Sequence, residues 1–190
     1  MSESPLPTPA PREPLHSRKV QCQGYRRQDG LYDIEGTLID VKSLDFHNMD
    51  RGHVAPGEPI HEMWIRLTVD IDFNVIDVEA RNVWGPYTIC GDITPNFKRL
   101  KGLTIQRGWN QKTRELLGGT EGCTHLLELL GPIATTAFQT IHGDRVERDK
   151  REGRREKPAL IGSCHAYASN SIVVLKRHPE YYTGPKKQAD

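Results

Sequence analysis

An apolar run from Gly122 to Ile141, GCTHLLELLGPIATTAFQTI, restricts the fold more than any other part of the chain. Its apolar side chains recur at spacings of three and four residues, which is typical of one face of an α-helix. The repeating positions are Leu126, Leu130, Ile133, Ala134, Ala137, Phe138 and Ile141. We expect Pro132 to kink this helix or divide it in two, because proline inside a helix removes a backbone hydrogen bond.

Alternating apolar and polar residues predict a sheet before this helix. In HEMWIRLTV, the apolar residues Met63, Ile65, Leu67 and Val69 alternate with polar ones, as in a half-buried strand. Ile34 to Val41 and Ile76 to Arg81 predict two more strands, so a three-stranded antiparallel meander is the simplest arrangement. The basic segment His16 to Asp29 is interpreted as a polar approach that ends in a turn at Asp29-Gly30.

Two shorter helices are predicted between the sheet and the apolar run. One begins at Thr94-Pro95 and ends at Gly102, and the other runs from Trp109 to Leu117. Near the C-terminus, ALIGSCHAYASNSIVVL predicts two short strands around Ser169-Asn170, with Cys164 and His165 on a strand that completes the sheet. The predicted fold class is therefore α+β, with an antiparallel sheet of three to five strands packed against three helices.

The domain organisation follows from composition. Residues 1–15 are proline-rich and poor in apolar side chains, which predicts a disordered arm. We assign residues 16–178 to a single α+β domain and residues 179–190 to a tail. The highly charged segment 142–157 is expected to be a linker or an exposed helix.

Charge and cysteine usage limit the partners. The chain carries 26 basic and 25 acidic side chains, a net charge of +1, so nothing draws it to nucleic acid or to an anionic membrane. No apolar stretch reaches membrane length, and the first residues, MSESPLPTPAPREPL, do not have the apolar centre expected of a signal peptide. We therefore expect a cytoplasmic protein that acts on a small molecule, with a homodimer left open. The four cysteines form no CxxC pair and are expected to be free thiols.

The start of the apolar helix is the first candidate for chemistry. Cys123 and His125 lie where unpaired backbone N–H groups and the helix dipole favour a thiolate or an anion. His61 begins the HEMWIRLTV strand after the Gly/Pro-rich loop Gly52 to Met63, and an imidazole there suits a general base or a metal ligand. The alternative is a packed cysteine and hydrogen-bonded structural histidines. We expect a pocket between this loop and the helix start.

Two further sets of residues are candidates for the same site. Cys90 follows a predicted strand, and His61, Cys90, Cys123 and His125 together would make a tetrahedral zinc or iron site, although their spacing is irregular. Asp40 and Lys42 share one face of the first predicted strand and form either an acid/base pair or an ordinary surface pair, of which the surface pair is favoured.

Longer segments of the chain resemble a known bacterial family. The succession RRQDGLYDIEGTLIDVK, GEPIHEMWIRLTVDIDF, PYTIC, LKGLTIQRGW and GCTHLLELLGPIATTAFQT, from about Tyr25 to Ile141, resembles a proteobacterial family described as a domain of unknown function. The resemblance implies an association with the catabolism of aromatic compounds.

The order of motifs is also similar to that of iron–sulfur scaffold and sulfur-acceptor proteins. Cys90, Lys101-Gly102 and Cys123 follow a predicted three-stranded sheet in the order that this fold implies. One scaffold cysteine is missing, however, and His125 follows the late cysteine where a histidine should precede it. The resemblance therefore implies a similar fold and argues against cluster assembly.

These observations lead to two functional hypotheses. The first is a small lyase that uses no cofactor and performs acid/base chemistry on a small, lignin-derived or other aromatic substrate. His61 would be the base, Cys123 and His125 would orient or protonate the substrate, and Asp40 with Lys42 would support them. The alternative is a metal- or iron–sulfur-binding accessory protein that uses Cys90, Cys123 and His125, with zinc or iron as the cofactor.

Overall fold

A computed structural model describes residues 5–154, 158 and 160–185 of the chain. The chain divides into two compact units, Met1–Arg145 and Val146–Asp190. The first unit contains two antiparallel sheets and most of the helices, so the α+β fold class is confirmed. Residues 5–15 are exposed and form neither helix nor strand, and residues 1–4 lie outside the described part.

The main sheet has four antiparallel strands in the order β1-β2-β5-β6. The strands of the chain are β1 (His16–Arg26), β2 (Tyr32–Lys42), β3 (Phe46–Asn48), β4 (Gly52–Val54), β5 (Pro59–Val69) and β6 (Val75–Trp84). The predicted meander corresponds to β2, β5 and β6, which are neighbours in the sheet and are confirmed. The small strands β3 and β4 form a hairpin between β2 and β5.

The helices of the first unit follow the sheet. After two 3₁₀ turns, Thr88–Gly91 and Thr94–Leu100, the α-helices are α1 (Trp109–Leu117) and α2 (Thr124–Arg151). The boundaries predicted for α1 are confirmed, whereas the helix predicted from Thr94 is a 3₁₀ helix. No helix among the described residues has the length and apolarity needed to span a membrane.

The apolar run continues as one helix with Pro132 inside it, so of the two alternatives predicted for Pro132, a kink or a division, the division is wrong. The helix continues past Pro132 because its apolar face is held in the core, where Leu126, Leu129, Leu130, Ile133, Ala137 and Ile141 are all fully buried. The indole N–H of Trp109 also donates to the Leu130 carbonyl at 2.9 Å, close to the proline. Burial of the apolar face therefore offsets the backbone hydrogen bond that is lost at Pro132.

Helix α2 and the inner face of the sheet share one hydrophobic core. In β2 every second residue from Tyr32 to Asp40 is buried, and in β5 Met63, Ile65, Leu67 and Val69 are buried. A Cβ atom at Gly36 would lie 2.7 Å from the Ile133 Cδ1 atom, which shows how closely the helix approaches β2. The absence of a side chain at Gly36 permits this approach.

Two sequence-based interpretations are wrong. The segment from His16 is a full strand, β1, and its sequence hides this because an edge strand with an exposed surface needs no apolar alternation. Cys164 and His165 do not lie on a strand, since residues 165–167 form a 3₁₀ turn and α3 (Ile172–Arg177) follows. The Ser171 side chain accepts a hydrogen bond from the Val174 N–H at 3.2 Å, and this N-cap starts a helix in a β-branched segment.

The charged segment 142–157 is helical as far as Arg151, as one of the two predicted alternatives required, and residues 155–157 lie outside the described part. In the second unit, a further 3₁₀ turn, Pro179–Tyr181, follows α3 and falls in the predicted tail. Residues 186–190 of that tail are not among the described residues.

Candidate functional site

Three polar residues form a row across the inner face of the main sheet. Arg18 of β1 is paired in register with Asp40 of β2, and Asp40 is paired in register with His61 of β5. Because antiparallel register places paired residues on the same face, the three side chains project together. Asp40 is only 1% exposed, because it continues the buried alternation of Ile34, Gly36 and Leu38 along β2.

The first turn of α2 brings a second histidine over this row. The Leu127 N–H donates to the Cys123 carbonyl at 2.9 Å, so the helix begins directly after Cys123 and places His125 in its first turn. The rings of His61 and His125 stack with centroids 3.8 Å apart. His125 Nε2 also lies 3.9 Å from Asp40 Oδ2. We call Asp40, His61 and His125 the carboxylate–histidine cluster.

The buried carboxylate is surrounded by donors. Arg18 donates two hydrogen bonds to Asp40, from Nε at 2.8 Å and from its terminal nitrogen at 2.7 Å. His16 Nε2 lies 3.3 Å from Asp40 Oδ1, and His61 Nδ1 lies 3.1 Å from Asp40 Oδ2. The other terminal nitrogen of Arg18 donates to Glu128, one turn along α2, at 2.5 Å. Arg18 therefore links the sheet to the helix across the site.

These contacts shift the acid–base properties of the cluster. Burial alone would raise the pKa of Asp40, but the hydrogen bonds and charge of Arg18, with the charges of His61 and His16, outweigh it, so its pKa lies below the usual value. Burial lowers the pKa of His61 below 6.5, and the charge of His125 adds to this effect although Asp40 opposes it. Burial, followed by the charge of Arg18, also lowers the pKa of His125. At neutral pH the cluster therefore holds an ionised carboxylate beside two neutral imidazoles.

Cys123 belongs to the edge of the same site. Its Sγ atom lies 3.9 Å from His125 Nδ1, on the opposite side of the ring from Asp40. The thiol is partly buried and is not in a disulfide. The structure thus brings together four of the residues singled out from the sequence: Asp40, His61, Cys123 and His125.

Two other predicted site residues lie apart from the cluster. Lys42 is exposed, and its ammonium group lies 4.5 Å from the centre of the Phe46 ring. Cys90 lies in the 3₁₀ turn after β6, where its Cβ packs close to Gly85. The interpretation of Asp40 and Lys42 as a surface pair is wrong, because Asp40 is buried and pairs with Arg18.

The cluster is also the place where a metal ion could be held. One nitrogen from each of His61 and His125 and one oxygen of Asp40 lie within 4.8 Å of one another. Within residues 5–154, 158 and 160–185, it is the one group of three or more His, Cys, Asp or Glu side chains with ligand atoms this close. Neither Cys90 nor Cys123 is part of that group.

Sequence reasoning missed three residues around the site, His16, Arg18 and Glu128. The first two lie on β1, and their spacing of two continues through Val20 and Cys22 on the same face. This period of two was the available signal, but the polar character of the segment hid it. Glu128 lies three residues after His125 on α2, where a helix places side chains on one face.

At the position predicted for a pocket, between the Gly52 to Met63 loop and the helix start, the rings of His61 and His125 stack on each other, and the pocket stays a prediction. Much of that loop is ordered, because Gly52–Val54 forms β4 and the Arg51 side chain donates to Glu58 and to the Pro59 carbonyl. A groove of about 700 Å³ lies beside Trp64, Arg66 and Pro95, and contains none of the cluster residues.

Comparisons with known proteins place these residues in a family. The model of the family described as "Protein of unknown function (DUF2889)" matches residues 16–139, and the chain belongs to that family. The matched region begins at β1 and includes every residue of the carboxylate–histidine cluster. No curated protein and no solved structure matches the chain.

Proposed function

We propose that this member of the DUF2889 family is a small enzyme of the lyase class that performs acid/base chemistry on a small aromatic molecule. The observation that carries the proposal is the contact of His61 Nδ1 with Asp40 Oδ2 at 3.1 Å. A carboxylate in that position fixes the ring and its tautomer, with the proton on Nδ1, and leaves Nε2 as the proton acceptor. The burial of Asp40 keeps this orientation rigid.

The second imidazole gives the site both partners that an elimination needs. His61 takes a proton from a carbon next to an electron-withdrawing group, the carbon–oxygen bond beyond it breaks, and a double bond forms. His125, a neutral imidazole, donates its N–H proton to the departing oxygen and regains one from the protonated His61, on whose ring it stacks at 3.8 Å, so that both rings end neutral. Cys123 lies against His125 Nδ1 and orients this ring. Positioned proton transfer contributes roughly 10²- to 10⁴-fold in rate.

The substrate class rests on the resemblance to the bacterial family, which implies aromatic and lignin-derived compounds. The proposed reaction needs no organic cofactor. A cytoplasmic location accords with the four free cysteines, none of which is in a disulfide within the described residues.

Exchange of substrate hydrogen for deuterium tests the proposal across a range of candidate substrates. The full chain is incubated in D₂O with a panel of phenolic β-hydroxy ketones and β-aryl ethers, and ¹H NMR follows both deuterium incorporation and bond cleavage. The variant is His61→Gln, and the matched control is His53→Gln, because His53 is an exposed histidine that pairs with the exposed Asp45.

We expect the wild type and His53→Gln to exchange and cleave at least one compound, and His61→Gln to be slower by about 100-fold or more. Full activity in His61→Gln overturns the assignment of the base. A lack of exchange with every member of the panel overturns the proposed function.

A further inference from the structure

The spacing of the ligand atoms in the carboxylate–histidine cluster suits a metal ion. Zinc–nitrogen and zinc–oxygen bonds are about 2.1 Å long, so two ligands of one ion lie about 3.0 Å apart at a right angle and about 3.4 Å apart at the tetrahedral angle. His61 Nδ1 lies 3.1 Å from Asp40 Oδ2, and His125 Nε2 lies 3.9 Å from the same oxygen. The His125 nitrogen is therefore about 0.5 Å beyond the tetrahedral spacing from Asp40, and the three ligand atoms all lie within 4.8 Å of one another.

We propose that Asp40, His61 and His125 form a binding site for one divalent transition-metal ion, with Zn²⁺ or Fe²⁺ as the ion. Two imidazoles and one carboxylate are the ligand set of many such centres, and they leave coordination positions open for water or a substrate oxygen. This set contains no sulfur, and so it differs from a site built on the cysteines of the chain.

The surroundings of the three ligands resemble the outer partners of a metal centre. Arg18 fixes the Asp40 carboxylate with two hydrogen bonds, and His125 turns its second ring nitrogen, Nδ1, towards Cys123 Sγ at 3.9 Å. Histidine ligands commonly donate their other N–H to a carboxylate, a carbonyl or water, which orients the ring, and here the sulfur would serve as a weaker acceptor.

The charges of the site suit a cation. The Arg18 guanidinium is paired with both Asp40 and Glu128, so with neutral imidazoles these three side chains carry one net negative charge. A bound ion would stand between His61 and Asp40, where the structure has a hydrogen bond. It would then bind His61 Nδ1 in place of that hydrogen bond, and a metal-bound water would act as the base instead of His61.

This inference uses the same side chains as the proposed function and changes one part of it: with an ion bound, the metal-bound water replaces His61 as the base, while the reaction class stays the same. If the protein binds no metal, proton transfer by His61 stands as proposed. If it binds metal but exchanges no substrate hydrogen, the proposed function fails and the metal site stands. The two experiments therefore fail independently.

Metal binding is measured on the full chain after treatment with a chelator and its removal by gel filtration. Isothermal titration with ZnCl₂ gives the stoichiometry and the affinity, and titration with CoCl₂ gives visible absorption bands that report the coordination geometry. The ligand variants are Asp40→Asn, His61→Gln and His125→Gln. The matched controls are His53→Gln and Cys90→Ser, which change a histidine and a cysteine outside the cluster.

We expect one ion to bind the wild type and both controls, and each ligand variant to bind at least tenfold more weakly. Cys123→Ser is expected to retain the ion, with a smaller loss, because the thiol contacts a ligand and not the ion. Circular dichroism checks the fold of each variant, and His125→Gln decides the outcome if Asp40→Asn is unfolded, because His125 is 22% exposed on a helix surface. The absence of binding by the wild type, or undiminished binding by the folded His125→Gln variant, overturns the proposal.

Discussion

Replacement of Asp40 by Asn should destabilise the protein strongly. Asp40 is 1% exposed and accepts two hydrogen bonds from Arg18 and one each from His16 and His61. A hydrogen bond to a charged group contributes about 1.5 to 3 kcal/mol, but the side chains of Arg18 and His16 are 36% and 45% exposed, so water screens part of this. Asparagine retains one acceptor and turns an amide N–H₂ group towards the remaining donors. We expect a loss of about 2 to 4 kcal/mol in the free energy of unfolding.

The loss is measured by urea unfolding and by thermal melting of the chelator-treated protein. For a chain of this length, each kcal/mol lowers Tm by about 2 to 4 °C, so Asp40→Asn should lower it by about 5 to 15 °C. Asp45→Asn is the matched control, because the Asp45 side chain is 67% exposed and contacts His53 at 3.5 Å. Its effect should stay within about 0.5 kcal/mol.

The pH dependence provides a second check with a definite sign. The folded-state pKa of Asp40 lies below its ordinary value of 3.8. Its ionised form therefore stabilises the protein above that value, and the stabilisation is lost as the pH falls through the lower folded-state pKa. The difference in stability between wild type and Asp40→Asn should widen somewhat as the pH falls from 7 to about 5, because the variant lowers the pKa of His61 further, and it should shrink below pH 3.8 as Asp40 is protonated. A variant as stable as Asp45→Asn, or a difference that keeps growing below pH 3.8, would refute the reasoning.

Two further predictions concern the cluster and the packing beneath it. In NMR titrations of chelator-treated protein, His61 and His125 should each have a pKa below 6.5. Asp40→Asn should lower the His61 pKa further, because Asp40 opposes the effect of burial. A midpoint above pH 6.5 would contradict burial as the cause. Gly36→Ala should destabilise the protein by about 1 to 3 kcal/mol, since its Cβ would lie 2.7 Å from Ile133 Cδ1. The control is Gly143→Ala in α2, where a Cβ has no atom within 4 Å and should stabilise the protein by about 0.5 to 1 kcal/mol. Equal urea midpoints for the two variants would contradict the close packing of α2 on β2.

Much of the local structure was accessible from the sequence. The period of two predicted β5 and its neighbours, and the glycines after Leu117 marked the end of α1, because these signals depend on residues close together in the chain. The same reasoning failed at Ile172, where β-branched residues predicted a strand and the Ser171 cap produced a helix. It also failed at β1, where an edge position removes the need for apolar residues.

The candidate site was only partly predictable for a similar reason. Cys123 and His125 were identified because a helix start is a local feature with known electrostatics. Asp40 was recognised as a candidate, but its burial was not, because a carboxylate on an alternating strand looks the same in sequence whether or not a cation neutralises it. Arg18 supplies that cation from 22 residues away.

The sequence by itself determined that β2, β5 and β6 are strands and that the apolar run is helical. It also located both ends of α1 and placed a thiol and an imidazole at the start of α2. Only the tertiary structure decided which side chains meet. Arg18, Asp40 and His61 lie in one row because of the register of three strands, and a shift of one residue would turn any of them to the opposite face of the sheet. That register depends on contacts between distant parts of the chain, such as Gly36 with Ile133 and Arg18 with Glu128, which local patterns of residues do not encode.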